Sequence, residues 1–232
     1  MDELIEGAKN FGIELNLTQK AQFSTFLDEL KLWNERTNLT AIREDDDIIK
    51  KHFLDSLSVL SAIPKNTQTV IDVGTGAGFP GLPIAIAEPN ISVTLLESSD
   101  KKVEFLKHIV SKLELKNVIV LSGRAEDGGK NLSHREKYDV ATARAVANLA
   151  TLAEYLLPFI RIGGKMIAQK SAETPEIDGA KNAIEILGGG NLQIIPIIIR
   201  DLEPRNLIVI EKIKSTPSEY PRRIGVPSKK PL

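Results

Sequence analysis

From residue 69 onward, short apolar runs alternate with longer stretches that read as helices. The runs predict strands over Thr69–Val73, Ser92–Glu97, Val118–Leu121, Asp139–Ala143 and Lys165–Gln169. The stretches between them predict helices over Leu82–Glu88, Lys101–Leu115 (with Asp100 as cap) and Val146–Leu157. This rhythm predicts a doubly wound, mostly parallel sheet. A further helix, Glu176–Leu187, stops at Gly188, Gly189 and Gly190. Two apolar strands follow, Leu192–Ile199 and Leu207–Ile213. Their linker, R-D-L-E-P-R-N, is too short for a crossover helix, so they should form an antiparallel hairpin. The expected sheet therefore has seven strands.

Before residue 67 the pattern is helical. Phe23, Phe26, Leu27, Leu30 and Trp33 fall on one face of a helix that Thr18 could cap. The period breaks at W-N-E-R-T-N-L-T-A-I. A second helix, Ile48–Leu60, presents Phe53, Leu57 and Leu60, and Asp45 to Asp47 suit the dipole at its start. The tail is rich in proline and base and should lack regular structure. The expected organisation is a helical cap at 1–66, a core at 67–214 and a tail at 215–232.

The densest signal is T-V-I-D-V-G-T-G-A-G-F-P-G, residues 69–81. Gly74, Gly76 and Gly78 allow a sharp turn and close approach of a ligand. The helix that follows points its N–H groups at the same spot. Asp72 sits in the strand itself, where a carboxylate needs hydrogen bonds. It should orient the loop or face the ligand. Gly76, Gly78 and Gly81 satisfy the dinucleotide pattern G-x-G-x-x-G, so a nicotinamide cofactor is one reading. The register h-D-h-G-x-G-x-G over Ile71–Gly78 is the form seen in S-adenosylmethionine (SAM) methyltransferases. Both ligands want an acid after the second strand, and Glu97 supplies it. Asp72 and the terminal hairpin decide for SAM.

Composition removes other chemistries. The chain has 232 residues and no cysteine, which excludes disulfides, thiolate metal sites and cysteine nucleophiles. His52, His108 and His134 lack paired-ligand spacing, so no metal is expected. No apolar run approaches the length of a membrane span, and the acidic start has no signal-peptide core, which points to the cytoplasm. The formal net charge is −1, but it is unevenly spread. Residues 212–232 hold six bases and one acid, whereas residues 1–64 hold twelve acids and seven bases.

Two more places carry chemistry. R-A-E at Arg124–Glu126 follows the third strand and borders the adenine position in this architecture. Arg144 ends the fourth strand, where ligands bind in open α/β sheets. Its alternative role is a salt bridge closing the next helix. No [DNS]-P-P-[YFW] motif follows the fourth strand, and no cysteine is present to attack a pyrimidine. Guanine N7 remains a suitable target, because its lone pair needs no deprotonation and the enzyme mainly positions the reactants.

Together these motifs resemble the RsmG (GidB) family of 16S rRNA guanine-N7 methyltransferases. The carriers are N-L-T-A-I (38–42), H-F-L-D-S-L (52–57), D-V-G-T-G-A-G-F-P-G-L-P (72–83), R-A-E, A-R-A-V around Arg144, and Y-P-R-R-x-G-x-P-x-K-x-P-L (220–232). The resemblance spans essentially the whole chain. It implies a Rossmann-like SAM methyltransferase fold with an N-terminal helical extension. It implies methyl transfer to one guanine of the small ribosomal subunit. By the resemblance, Gly74, Phe79, Ala125, Glu126 and Arg144 line the SAM site and Glu97 is the ribose-binding acid. Phe79 should pack on SAM. Lys170 joins Arg144 as the pair that positions substrate or cofactor. Ser171 stands where the family usually has glycine. The alternative is a SAM methyltransferase for another RNA, a protein or a small molecule.

RNA contacts are expected from Arg43, Arg200, Arg222, Arg223, Lys229 and Lys230, with solvated charge as the alternative reading. The expected partner is 16S rRNA or the 30S subunit, met by a monomer. His52 and Asp55 should hydrogen-bond each other as a brace. His108 should be a surface residue.

Overall fold

A computed structural model describes residues 1–144, 147–172 and 177–232. The strands are β1 Thr69–Val73, β2 Ser92–Glu97, β3 Val118–Ser122, β4 Tyr138–Arg144, β5 Ile160–Ser171, β6 Gly189–Ile197 and β7 Arg205–Lys212. They form one sheet in the order β3-β2-β1-β4-β5-β7-β6. The first five are parallel, and β7 pairs antiparallel with both β5 and β6. The expected hairpin is therefore present, with β7 inserted next to β5. Regular pairing carries β5 through Ser171, which lies opposite Arg205. Serine at this position extends the strand without a break.

Alternation along the strands sorts side chains to the two faces. Val70 and Val140 join a cluster with Leu82, Phe105 and the N-terminal Phe23, Phe26 and Phe53. Ile71 and Ala141 join the opposite cluster with Leu152 and Phe159. The hairpin repeats the rule, with Leu207 and Val209 on the first side and Ile208 and Ile210 on the second.

Several local expectations need correction. The long N-terminal helix, Leu17–Thr37, is capped by Asn16 rather than Thr18. Asn16 and Gln19 form a reciprocal capping box at 2.9 and 2.8 Å. Ser99, not Asp100, precedes the helix Asp100–Lys112. Asn148 caps the helix Leu149–Leu156. The expected helix starts at Val146 and Glu176 lie outside the described residues. The second N-terminal helix is not uniform. An α-turn, Asp45–Ile48, widens into a π-turn over Ile49–Leu54 and returns to α over Asp55–Ser58. Such turns gather at functional sites.

The tail also differs from expectation. It carries a short helix, Val226–Lys229, and buries Thr216, Pro221 and Pro227. Proline fixed the local backbone, but side chains of the core fixed its position. Arg135 donates to the carbonyls of Thr216, Pro217 and Tyr220 at 2.7, 3.1 and 2.8 Å. Lys212, fully buried at the end of β7, donates to Leu157 O, Leu187 O and the Thr216 hydroxyl.

Candidate active site

The glycine loop turns at the carboxyl end of β1. Gly74, Gly76 and Gly78 take φ of +71, +63 and +94°, in the region that favours glycine. Gly78 is also sterically fixed, since a Cβ there would come within 2.2 Å of Leu82. Asp72 is fully buried beneath the loop. Its Oδ2 accepts from the Thr75 hydroxyl (2.5 Å) and from Gly81 N–H (2.8 Å), so it orients the loop rather than facing a ligand. Its Oδ1 has no partner among the described residues. Burial pushes its pKa up to about 6, against the pull of those two hydrogen bonds.

Glu97 ends β2 and is also buried. Its Oε2 accepts from Gly76 N–H at 2.9 Å, and its Oε1 accepts from Ser98 and Ser99 N–H at 2.8 Å each. A carboxylate offers about four acceptor sites, so one remains for a hydroxyl. The expected ribose acid thus also pins the glycine loop to the second strand.

These elements border a cleft of about 420 Å³ lined by Gly74, Leu96, Ser98, Ala125, Glu126 and Tyr155, with Ile224, Gly225 and Ser228 from the tail. Its volume lies within the range of small-molecule sites, roughly 300–1,000 Å³. A Cβ on Gly76 would meet nothing within 4 Å, so backbone is open to close approach here. The chain therefore offers a SAM-sized cleft, an open glycine turn and carboxylates for hydroxyl and amino groups. SAM fits the residues present.

Arg144 stands at the end of β4, as expected, but its surroundings come from the N-terminal segment. Nη1 donates to Lys51 O (2.8 Å) and Asp55 Oδ2 (3.2 Å), and Nη2 donates to His52 Nδ1 (2.9 Å). A guanidinium can only donate, so Nδ1 accepts and the ring carries its proton on Nε2. Nε2 then donates to the Thr40 hydroxyl at 2.7 Å. Burial and the neighbouring Arg144 charge lower the His52 pKa to about 3, so the ring is neutral. The expected His52–Asp55 brace is replaced by a bridge through Arg144. Asp55 is buried, and burial raises its pKa against the attraction of Arg144 and Arg205. Arg205 Nε lies 4.0 Å from Asp55 Oδ1, and neither atom has a hydrogen-bond partner among the described residues. Gln169 Nε2 donates to Asp55 O at 2.7 Å. Lys170 donates to Ala147 O.

Phe79 is not among the residues that line the cleft. It is buried, stacks on Phe26 (5.2 Å) and His52 (4.6 Å), and lies under the Arg144 guanidinium at 5.1 Å. These contacts seat it on the N-terminal segment and beside Arg144. Arg222 is tied to the body of the fold. Its backbone N–H donates to Glu154 at 2.7 Å, and its guanidinium forms a bidentate pair with the same carboxylate at 2.6 to 3.1 Å. It latches the tail, with 23% of its side chain exposed. Arg43, Arg223, Lys229 and Lys230 are exposed, and Arg200 is 91% exposed in its side chain. His108 is half-exposed and pairs with Glu29 at 2.8 Å.

Sequence reasoning missed Arg205, Gln169 and Thr40 as members of the Arg144 cluster, and Ile224, Gly225 and Ser228 as cleft residues. One signal was available. Glu154 interrupts an otherwise apolar helix, L-A-T-L-A-E-Y-L, and is wholly buried, so it had to find a cation.

The strand order, the glycine turn and the cleft define a methyltransferase of the SAM-dependent class. Solved structures agree on the fold. A putative O-methyltransferase from Klebsiella pneumoniae aligns with a TM-score of 0.56 at 14% identity, covering 82% of this chain and 90% of that one. The TYW2 protein of M. jannaschii, in complex with AdoMet, aligns at 0.50 and 15% identity, covering 65% and 72%. The particular family follows from sequence. The GidB model, rRNA small subunit methyltransferase G, matches residues 19–201, and the chain belongs to that family. Ribosomal RNA small subunit methyltransferase G of Acetivibrio thermocellus is 47% identical over 99% of this chain and 95% of its own length. The protein of that name in Chloroflexus aggregans is 49% identical over 99% and 97%. Among the described residues, no helix is long and apolar enough to cross a membrane, and no acid or histidine cluster could hold a metal.

Proposed function

We propose that this chain methylates N7 of a single guanine in 16S rRNA, acting in the cytoplasm as a monomer on the rRNA or the small subunit. The observation that carries this reading is the full-length likeness to rRNA small subunit methyltransferase G together with a cleft that fits SAM. When bound, SAM supplies an electrophilic methyl group. Gly74, Ala125 and Glu126 hold it by backbone and carboxylate, with Glu97 taking a ribose hydroxyl on its remaining acceptor site. Asp72, Gly76 and Gly78 keep the loop in shape for this. Arg144 and Lys170 position the guanine or the cofactor as positive charges near the reacting groups. Arg144 is suited to this, because the N-terminal segment holds its guanidinium on three partners.

No general base is assigned, because N7 presents a free lone pair. His52 is consistent with that role division. Its neutral ring is occupied on both nitrogens and orients Arg144. RNA phosphates are met by Arg43, Arg200, Arg223, Lys229 and Lys230, whose contribution falls as salt rises.

The test is transfer from labelled SAM to small subunits or 16S rRNA, followed by nucleoside digestion. 7-Methylguanosine is expected. A different methylated nucleoside, or no transfer to either substrate, would refute the assignment.

A further inference from the structure

We propose that Ile224, Gly225 and Ser228 of the tail form the outer wall of the SAM site and contribute directly to cofactor affinity. This rests on the reading that the cleft takes SAM.

The wall is built, not draped. Arg222, next to it in sequence, is held by the wholly buried Glu154 through four hydrogen bonds of 2.6 to 3.1 Å. Opening the latch would leave the buried Glu154 carboxylate without its cation, so the latch stays shut. Three residues on, Gly225 takes φ of +77° and donates its N–H to Glu126 Oε1 at 2.9 Å. Glu126 belongs to the cleft itself. Beyond it, the Thr151 hydroxyl donates to Pro227 O at 3.0 Å. The segment 224–228 is thus fixed on both sides, and its Ile224, Gly225 and Ser228 line the cavity.

The chemistry of the wall matches the adenosine end of the cofactor. Ile224 is 54% exposed although its neighbours Pro221 and Pro227 are buried. An apolar side chain on the wall of a cavity also lined by Gly74, Leu96 and Ala125 suits a flat, weakly polar ring. Tyr155, Ser228 and Glu126 supply polar groups around it. The tail's bases, Arg223, Lys229 and Lys230, are exposed.

The decisive experiment is calorimetric titration of SAM into the full chain, without RNA. Ile224→Asp places charge on the wall at an exposed position, so the apo melting temperature should stay within measurement error of wild type. SAM affinity should fall at least tenfold. In parallel, hydrogen exchange on the wild type should show SAM protecting the amides of 224–228 more than those of 229–232. Ile224→Asp binding within twofold of wild type, or no added protection at 224–228, overturns the proposal. A wild-type chain that binds no SAM would sink the cofactor reading and this inference together. Failure of rRNA methylation alone would leave it standing.

Discussion

The two halves of the site are built in opposite ways. On the β1 side, backbone does the work: glycine turns, N–H groups and two carboxylates that bind those N–H groups. The result is an open cleft. On the β4 side, side chains converge from positions far apart in sequence: Thr40, His52, Asp55, Phe79, Arg144, Gln169 and Arg205. The result is packed and largely buried. An open backbone site can hold a small cofactor with little side-chain freedom to lose. A packed charged cluster can hold one guanidinium in place, but it depends on every partner.

That contrast sets the order of mutational effects. Asp55→Ala should be the most damaging. It leaves the largely buried Arg144 without its anion, a loss on the order of 3–5 kcal/mol in urea unfolding. A loss under 1 kcal/mol would show that the cluster is solvated and the contrast false. Gly81→Ala comes next, on the backbone side. Its Cβ would sit 2.3 Å from Leu95 and 2.9 Å from Asp72 Oδ2. Overpacking of this kind costs about 1–3 kcal/mol, and the shifted loop should weaken SAM binding in the same titration. Gly76→Ala should cost less, about 1 kcal/mol for its left-handed backbone, because nothing crowds the new methyl. Its main effect should be on SAM affinity, and unchanged affinity would remove Gly76 from the site.

The smallest expected effects are in pH dependence, and the two halves should differ in sign. Asp72 has a folded pKa of about 6, above its ordinary 3.8. The native state therefore holds its proton longer, and the stability linked to this group is lost as pH rises from about 4 to 6. His52 has a folded pKa of about 3, below its ordinary 6.5. The unfolded state binds the proton first, so stability linked to this group is lost as pH falls from 6.5 to 3. Asp72→Asn keeps an oxygen for Thr75 and Gly81, and should raise the melting temperature near pH 7 relative to pH 4. His52→Gln should flatten the acid-side loss. Melting curves from pH 4 to 7 check both, and equal slopes in the two variants would contradict the assignment.

The same contrast explains what could be read from sequence. The glycine turn needs about ten contiguous residues, so Asp72, Gly74, Gly76, Gly78 and the sheet around them were legible. Glu97 was legible because a strand end is a local event. The partner of Arg144 was not. His52 and Asp55 lie three apart, which suggested that they bond each other, and only the folded chain brings a guanidinium between them. The packing partners of Phe79 were hidden for a similar reason: Phe26 and His52 are distant from it in sequence. The tail was misread because proline content reports local stiffness. The buried Glu154 and Arg135 that hold it lie some seventy to ninety residues upstream.

The π-turn at Ile49–Leu54 makes the segment's length a setting of the site. Such a turn holds one residue more than an α-helix of equal span. Deleting one residue there would let the helix become regular over the same span, moving His52 relative to Asp55 while the flanking turns stay in register. His52 and Asp55 could then no longer both meet Arg144. The geometry of this helix, and not only its residues, is thus open to change by a single-codon deletion. A chain shortened there should fold with its sheet intact and its Arg144 unclasped, which amide exchange at Lys51–Asp55 would reveal.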